Sequence, residues 1–205
     1  MAKVLYGLSN VHYAKLTEVT DPDTGVISTQ YGEIKAWPGA VNLTLDPSGN
    51  PIIFSADNSA YYTIANNQGY EGSLEVAMIP DDVRVDVVGN RADSKGFIVE
   101  TDKDQVDYFA LMFEINTDVN PTRYIFYKVS LSQRPSVASK TVDVSGDLEI
   151  GTETVNLKAM PMASYIEIDG VQCHLVKAFT GEDVDATAYN GFYSNVYIPD
   201  FSSES

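Results

Sequence analysis

At 205 residues the chain is long enough to bury roughly 70% of its unfolded surface, so it needs neither a metal nor a disulfide to hold a core. Its single cysteine, Cys173, excludes an internal disulfide and a multi-cysteine zinc site, and points to a reducing cytoplasm. With 29 acidic against 13 basic side chains the formal charge is -16, a surface that repels a polyanion, and sequence-specific nucleic-acid binding is not expected.

The opening stretch MAKVLYGLSNVHYAKL is broken by Gly7, Ser9 and Asn10 and lacks the continuous apolar centre of an export signal. No apolar run nears the ~20 residues of a membrane-spanning helix, and no membrane partner is expected. Short runs rich in Val, Ile, Tyr, Phe and Thr predict strands over 11–17, 32–37, 40–45, 73–79, 106–115, 123–131, 153–160, 165–168 and 171–177. Turn chemistry separates them at Asp21-Pro-Asp-Thr-Gly25, Asp46-Pro-Ser-Gly49, Asn120-Pro121 and Asp169-Gly170, the last a tight-hairpin dipeptide. Residues 81–88 are predicted helical: Pro80 can open a helix, Asp81 and Asp82 favour its positive end, and Gly89 can close it. The alternation of Val83, Val85 and Val87 is the strand-like feature against that reading. Residues 93–96 and 133–140 read as loops too short to divide the chain. The expected fold is all-β with one or two short helices, an antiparallel sandwich or barrel in one domain over 1–205 with a polar end at 201–205.

Candidate chemistry is sparse. Cys173 beside His174 suggests a nucleophile with its base, but neighbours on a strand point to opposite faces and cannot form a dyad. His12 is the only other histidine. Paired acids at Asp81/Asp82, Asp102/Asp104 and Asp183/Asp185 could be a glycosidase pair, yet a chain this acidic makes such pairs by chance. Asp21-Pro-Asp-Thr-Gly25 and Asp102-Lys-Asp104 begin like calcium loops without continuing as such. No catalytic, cofactor-binding or metal-binding residue is expected.

The thirteen tyrosines are the unusual feature. Tyr61, Tyr62 and Tyr70, and later Tyr189, Tyr193 and Tyr197, offer large amphipathic surfaces of the kind enriched at interfaces, although strand aromatics more often pack inside and lectin-like modules present them as platforms. The long connection from Asp46 to Tyr62 favours the interface.

Short motifs follow a particular order. Pro38-Gly-Ala40 is followed by Phe54-Ser-Ala-Asp57-Asn58, Gly69-Tyr-Glu-Gly72, Leu74-Glu75 and Ile79-Pro-Asp-Asp82. The second half continues with Tyr108-Phe-Ala-Leu-Met-Phe-Glu114, Tyr124-Ile-Phe-Tyr-Lys-Val129, Arg134-Pro135 and Thr152-Glu-Thr-Val-Asn-Leu157. In that order, over residues 3–178, the sequence resembles the major tail proteins of long-tailed, non-contractile bacteriophages, the subunits of the tail tube; residues 182–205 match no part of the pattern. The resemblance implies a structural virion protein of the tail tube fold, present in host cytoplasm before assembly and in the virion tail afterwards. It implies a hexameric ring stacked head to tail into a tube that conducts DNA as passing cargo during ejection. The implied partners are further copies, the tape measure, the tail terminator and the distal tail proteins, with no cofactor. Asp46, Pro47, Phe54, Asp57, Asn58, Tyr61 and Tyr62 are then the expected ring-stacking residues. The alternative from another class is a virion carbohydrate-binding or adhesin β-sandwich, with a glycosidase third.

Overall fold

Alternation of apolar and polar side chains builds the sheet, as in Glu153–Met160, where Val155, Leu157 and Ala159 turn inward and Thr154, Asn156 and Lys158 stay exposed. The computed structural model describes residues 4–56, 59–64, 66–138 and 151–201. In chain order the strands are β1 (Leu5–Thr20), β2 (Ile27–Ala36), β3 (Ala40–Ser48), β4 (Ile52–Ala56), β5 (Ser59–Ile64), β6 (Gly69–Val76), β7 (Arg91–Ala92), β8 (Ile98–Val99), β9 (Phe109–Thr117), β10 (Thr122–Leu131), β11 (Glu153–Met160), β12 (Ile166–Ile168), β13 (Val171–Cys173) and β14 (Lys177–Phe179). Among the described residues two short helices accompany them: α1 (Asp81–Val83), continued by a π-helical turn over Arg84–Val88, and α2 (Ala186–Asn190). The fold is all-β, as expected.

The main sheet is antiparallel in the order β2-β1-β9-β10-β11-β6-β3. β10 is shared along one edge: β14 pairs Tyr124 to Phe126, and β11 pairs Lys128 to Leu131, while β9 takes the other edge. A bulge in β10 between Phe126 and Val129 flips the face, so both side chains enter the same core although they are three positions apart. That core gathers Val11 and Tyr13 from β1, Phe109, Leu111 and Phe113 from β9, Leu74 and Val76 from β6, and Trp37.

β9 is buried on both faces, which is why it reads as the unbroken run Phe-Ala-Leu-Met-Phe rather than as an alternation. Ala110 and Met112 point into a second, smaller core with Ala14, Ile125, Tyr127, Met162 and Phe192. The chain after α2 supplies Phe192, and it is tied down by Arg123. That guanidinium donates to Glu114 Oε1 at 2.6 Å and to the carbonyl of Tyr189, and its centre lies 3.9 Å over the Tyr189 ring. Residues 182–201, opaque in sequence, thus pack over the half of the sheet that holds the second core.

The expected helix is present. Its valines Val83, Val87 and Val88 are buried in the main core, and Gly89 closes it in the left-handed conformation at φ 87°. The Asp169-Gly170 hairpin also forms, both residues having positive φ between paired Ile168 and Val171. Three expectations need correction. Asp46-Pro-Ser-Gly49 is not a turn at Asp46 and Pro47: β3 runs on to Ser48, paired with β6, and the chain turns only at Gly49. Pro47 is tolerated because β3 is an edge strand, where a missing N–H can face away from the ladder. The strand expected over 171–177 is two, β13 and β14, which belong to different sheets. Residues 46–62 are not an irregular loop, since β4 and β5 pair within them as a hairpin.

Candidate assembly surface

The β4–β5 hairpin leaves the edge strand β3 and returns as β6, with Ser48 paired to Gly69 at its base. Gly69 has φ 105°, and an added Cβ would stand 1.9 Å from the Ala159 carbonyl oxygen, so strand closure there requires glycine. The β4–β5 register slips between Phe54 and Ser55, which leaves Tyr61 as the unpaired residue of a bulge. Tyr61 is 73% exposed and its neighbour Tyr62 is 62% exposed, so the hairpin presents two adjacent bare tyrosine rings at this point. A two-stranded hairpin has little stability of its own in water without a surface to pack on.

Phe54 lies opposite Tyr62 in the β4–β5 register. Asp57 and Asn58 lie outside the described residues. Asp46 and Pro47, exposed on β3, face Glu71 and Tyr70 on β6. The structure therefore divides the expected stacking residues between two places: Phe54, Tyr61 and Tyr62 on the hairpin, and Asp46 and Pro47 on the edge strand.

The rest of the surface is the outward face of β3, β6 and β11. Asn42, Thr44 and Asp46, then Glu71, Ser73 and Glu75, then Thr154, Asn156 and Lys158 form a polar patch. The other half of the sheet carries the second core on this side; this half carries none of its residues. Lys158 reaches Glu71 at 2.9 Å, leaving Asp46 and Glu75 as excess negative charge, with Thr152 donating to Glu75 at 2.5 Å. The signal that could have found this face in the sequence is the alternation in β3, β6 and β11, which places Ser, Thr, Asn, Asp, Glu and Lys on the outward positions from Asn42 onward; Val41, at a bulge beside them, is also exposed. β3 has no strand partner on its outer edge among the described residues.

Most basic side chains are committed inside the chain. Lys15 to Asp107, Lys35 to Asp86, Arg84 to Glu153, Arg123 to Glu114 and Lys128 to Glu18 all lie between 2.6 and 2.7 Å. The acids that remain set the field around the molecule. Elsewhere, Cys173 is half-buried at the end of β13, and His174 is exposed with Nδ1 3.2 Å from the Ser164 carbonyl. The His12 ring lies 4.4 Å from that of Tyr193, tilted by 36°. No protein-family model matches the chain, and no curated protein matches it.

Proposed function

We propose that this chain is a self-assembling structural subunit of a phage tail tube, whose copies form rings that stack into a channel for DNA. The observation that carries the reading is the hairpin with its adjacent bare tyrosines Tyr61 and Tyr62, joined to an edge strand that has no strand partner on its outer edge among the described residues. A pair of adjacent exposed tyrosines on a hairpin is costly in a monomer and stabilising once a second copy covers it. An open strand edge invites pairing with another chain, and closing the ring removes it. A heterologous contact that closes makes a ring, and a second that does not close makes a tube.

In this reading the hairpin reaches the next ring and the polar outward face of β3, β6 and β11 lines the channel. Asp46, Glu71 and Glu75 then hold the wall negative, so duplex DNA slides past without adhering. Nucleic acid is cargo, and the free subunit has no measurable affinity for it at any salt, because lower salt only lengthens the range of the repulsion.

Electron microscopy of concentrated pure protein tests the reading directly. Tubes or stacked rings are expected. A chain that sediments as a monomer over the whole accessible concentration range overturns it.

A further inference from the structure

Four aromatic rings form a column from the main core out to solvent beside β14. Phe126 and Phe113 lie 6.1 Å apart at 14°, Phe113 and Tyr124 5.3 Å at 7°, and Tyr124 and Phe179 5.6 Å at 25°. The column ends at Phe179, which is 58% exposed. Cross-strand pairing with Tyr124 explains where Phe179 sits, but not why so large an apolar ring is left open to water.

Phe179 stands in the wall of an open cavity of about 480 Å³, together with Tyr124, Tyr189, Asn120, Asn190 and Glu182. The aromatic walls are held in place. Tyr189 donates its hydroxyl to the Pro121 carbonyl at 2.9 Å and lies under the Arg123 guanidinium, while Tyr124 is stacked on both sides. Thr180 accepts from the Arg123 amide at 2.9 Å, but three other polar side chains are the opposite case. Among the described residues, Asn120, Asn190 and Glu182 have no side-chain hydrogen bond or ion pair, so two amides and a carboxylate stand unspent around a rigid aromatic surface. No basic side chain lines the cavity.

We propose that this cavity binds a neutral sugar ring. The apolar C–H face of a pyranose packs on the negative face of an aromatic ring, and amides with a carboxylate match the donors and acceptors of vicinal hydroxyls. The volume lies within the range of small-ligand pockets. Glu182 and the net charge of -16 disfavour an anionic ligand. Phe179 supplies the stacking face, Asn120 and Asn190 bridge hydroxyl pairs, and Glu182 accepts from them. The site is independent of the tube reading; on a tube it would repeat at every subunit, so weak single-site binding would sum to avid attachment.

The test is saturation-transfer NMR and calorimetric titration of the full chain with methyl β-glucoside, methyl β-galactoside, N-acetylglucosamine, cellobiose and chitobiose, with tetramethylammonium as the competing cationic probe. At least one sugar is expected to bind, with Phe179→Ala weakening it about tenfold or more. Asn190→Ala and Glu182→Gln, both at exposed positions, are expected to weaken it severalfold with unchanged melting. Binding of none of these sugars overturns the proposal, as does sugar binding that neither Phe179→Ala nor Asn190→Ala alters, or displacement of the sugar by tetramethylammonium. Sugar binding is read on the free subunit and tube formation by microscopy, so either can fail without the other.

Discussion

The hydroxyl of Tyr13, a residue with no exposed surface, donates to Oδ2 of Asp86 at 3.0 Å and lies 3.2 Å from Oδ2 of Asp82. One core tyrosine of β1 thereby pins successive turns of the helix that follows β6. Burial, reinforced by Asp86, pushes the Tyr13 phenol well above its ordinary value. At Asp86 burial acts to raise the carboxyl, but the hydrogen bonds from Lys35, at 2.6 Å, and from Tyr13 outweigh it and hold the group below the usual carboxylate range.

The direction of that shift sets a pH dependence. A carboxyl whose folded pKa is depressed adds stability above its unfolded value, about 3.9, and loses it as pH falls through the folded value. Asp86→Asn should therefore cost about 1–2 kcal/mol at neutral pH, and the gap to the wild type should narrow in acid. Urea unfolding at pH 7 and pH 3 measures both; an equal gap at the two values would remove Asp86 from the acid response. Tyr13→Phe should also destabilise at neutral pH, since it deletes the donor and keeps the ring.

Val87 is fully buried in the main core on the π-helical turn. Val87→Asp places an unpaired charge there and should cost about 4 kcal/mol or more, enough to abolish soluble protein. Expression and thermal melting measure it, and an unchanged melting temperature would mean that the turn does not pack as described.

Replacing residues 50–67 with a short turn should leave the main sheet intact, because Ser48 and Gly69 are already paired at the base of the hairpin. The domain should melt cooperatively and form no tubes. Tubes of normal length from this variant would take the hairpin out of the stacking contact.

Asp46 and Glu71 are direct cross-strand partners on the polar face, and like charges so placed repel. Asp46→Lys should raise stability by a few tenths of a kcal/mol, as read by thermal melting. Asp46→Lys combined with Glu71→Lys and Glu75→Lys should leave assembly intact and slow DNA passage, because it reverses the charge of the proposed channel wall. DNA release from particles carrying the triple variant measures this; unimpaired release would place the wall elsewhere.

Strand identity was largely legible in the sequence, since period-two alternation reports which face of a strand is buried; for β11 even the ends agree. The helix at 81–88 was legible from its punctuation, Pro80 and Gly89, although the valine alternation argued for a strand; burial of Val83, Val87 and Val88 on the helix resolves the conflict. Exposure of Tyr61 and Tyr62 followed from a tyrosine-rich connection too long for a turn. What the local sequence misjudged was Asp46-Pro47, because turn propensity there is a matter of tenths of a kcal/mol and pairing with β6 outweighs it. The β10 bulge, the fork at which β14 and β11 share one edge, and the column of rings ending at Phe179 come from partners distant in sequence. The same holds for the final segment: nothing around Phe192 marks it as core, because its burial depends on Ala110, Met112 and Ile125, which reach it only after β9 and β10 have paired. Face and period are local properties of a strand, so the chain determined them by itself; which face remains bare depends on what else folds across it, and only the tertiary structure decided that.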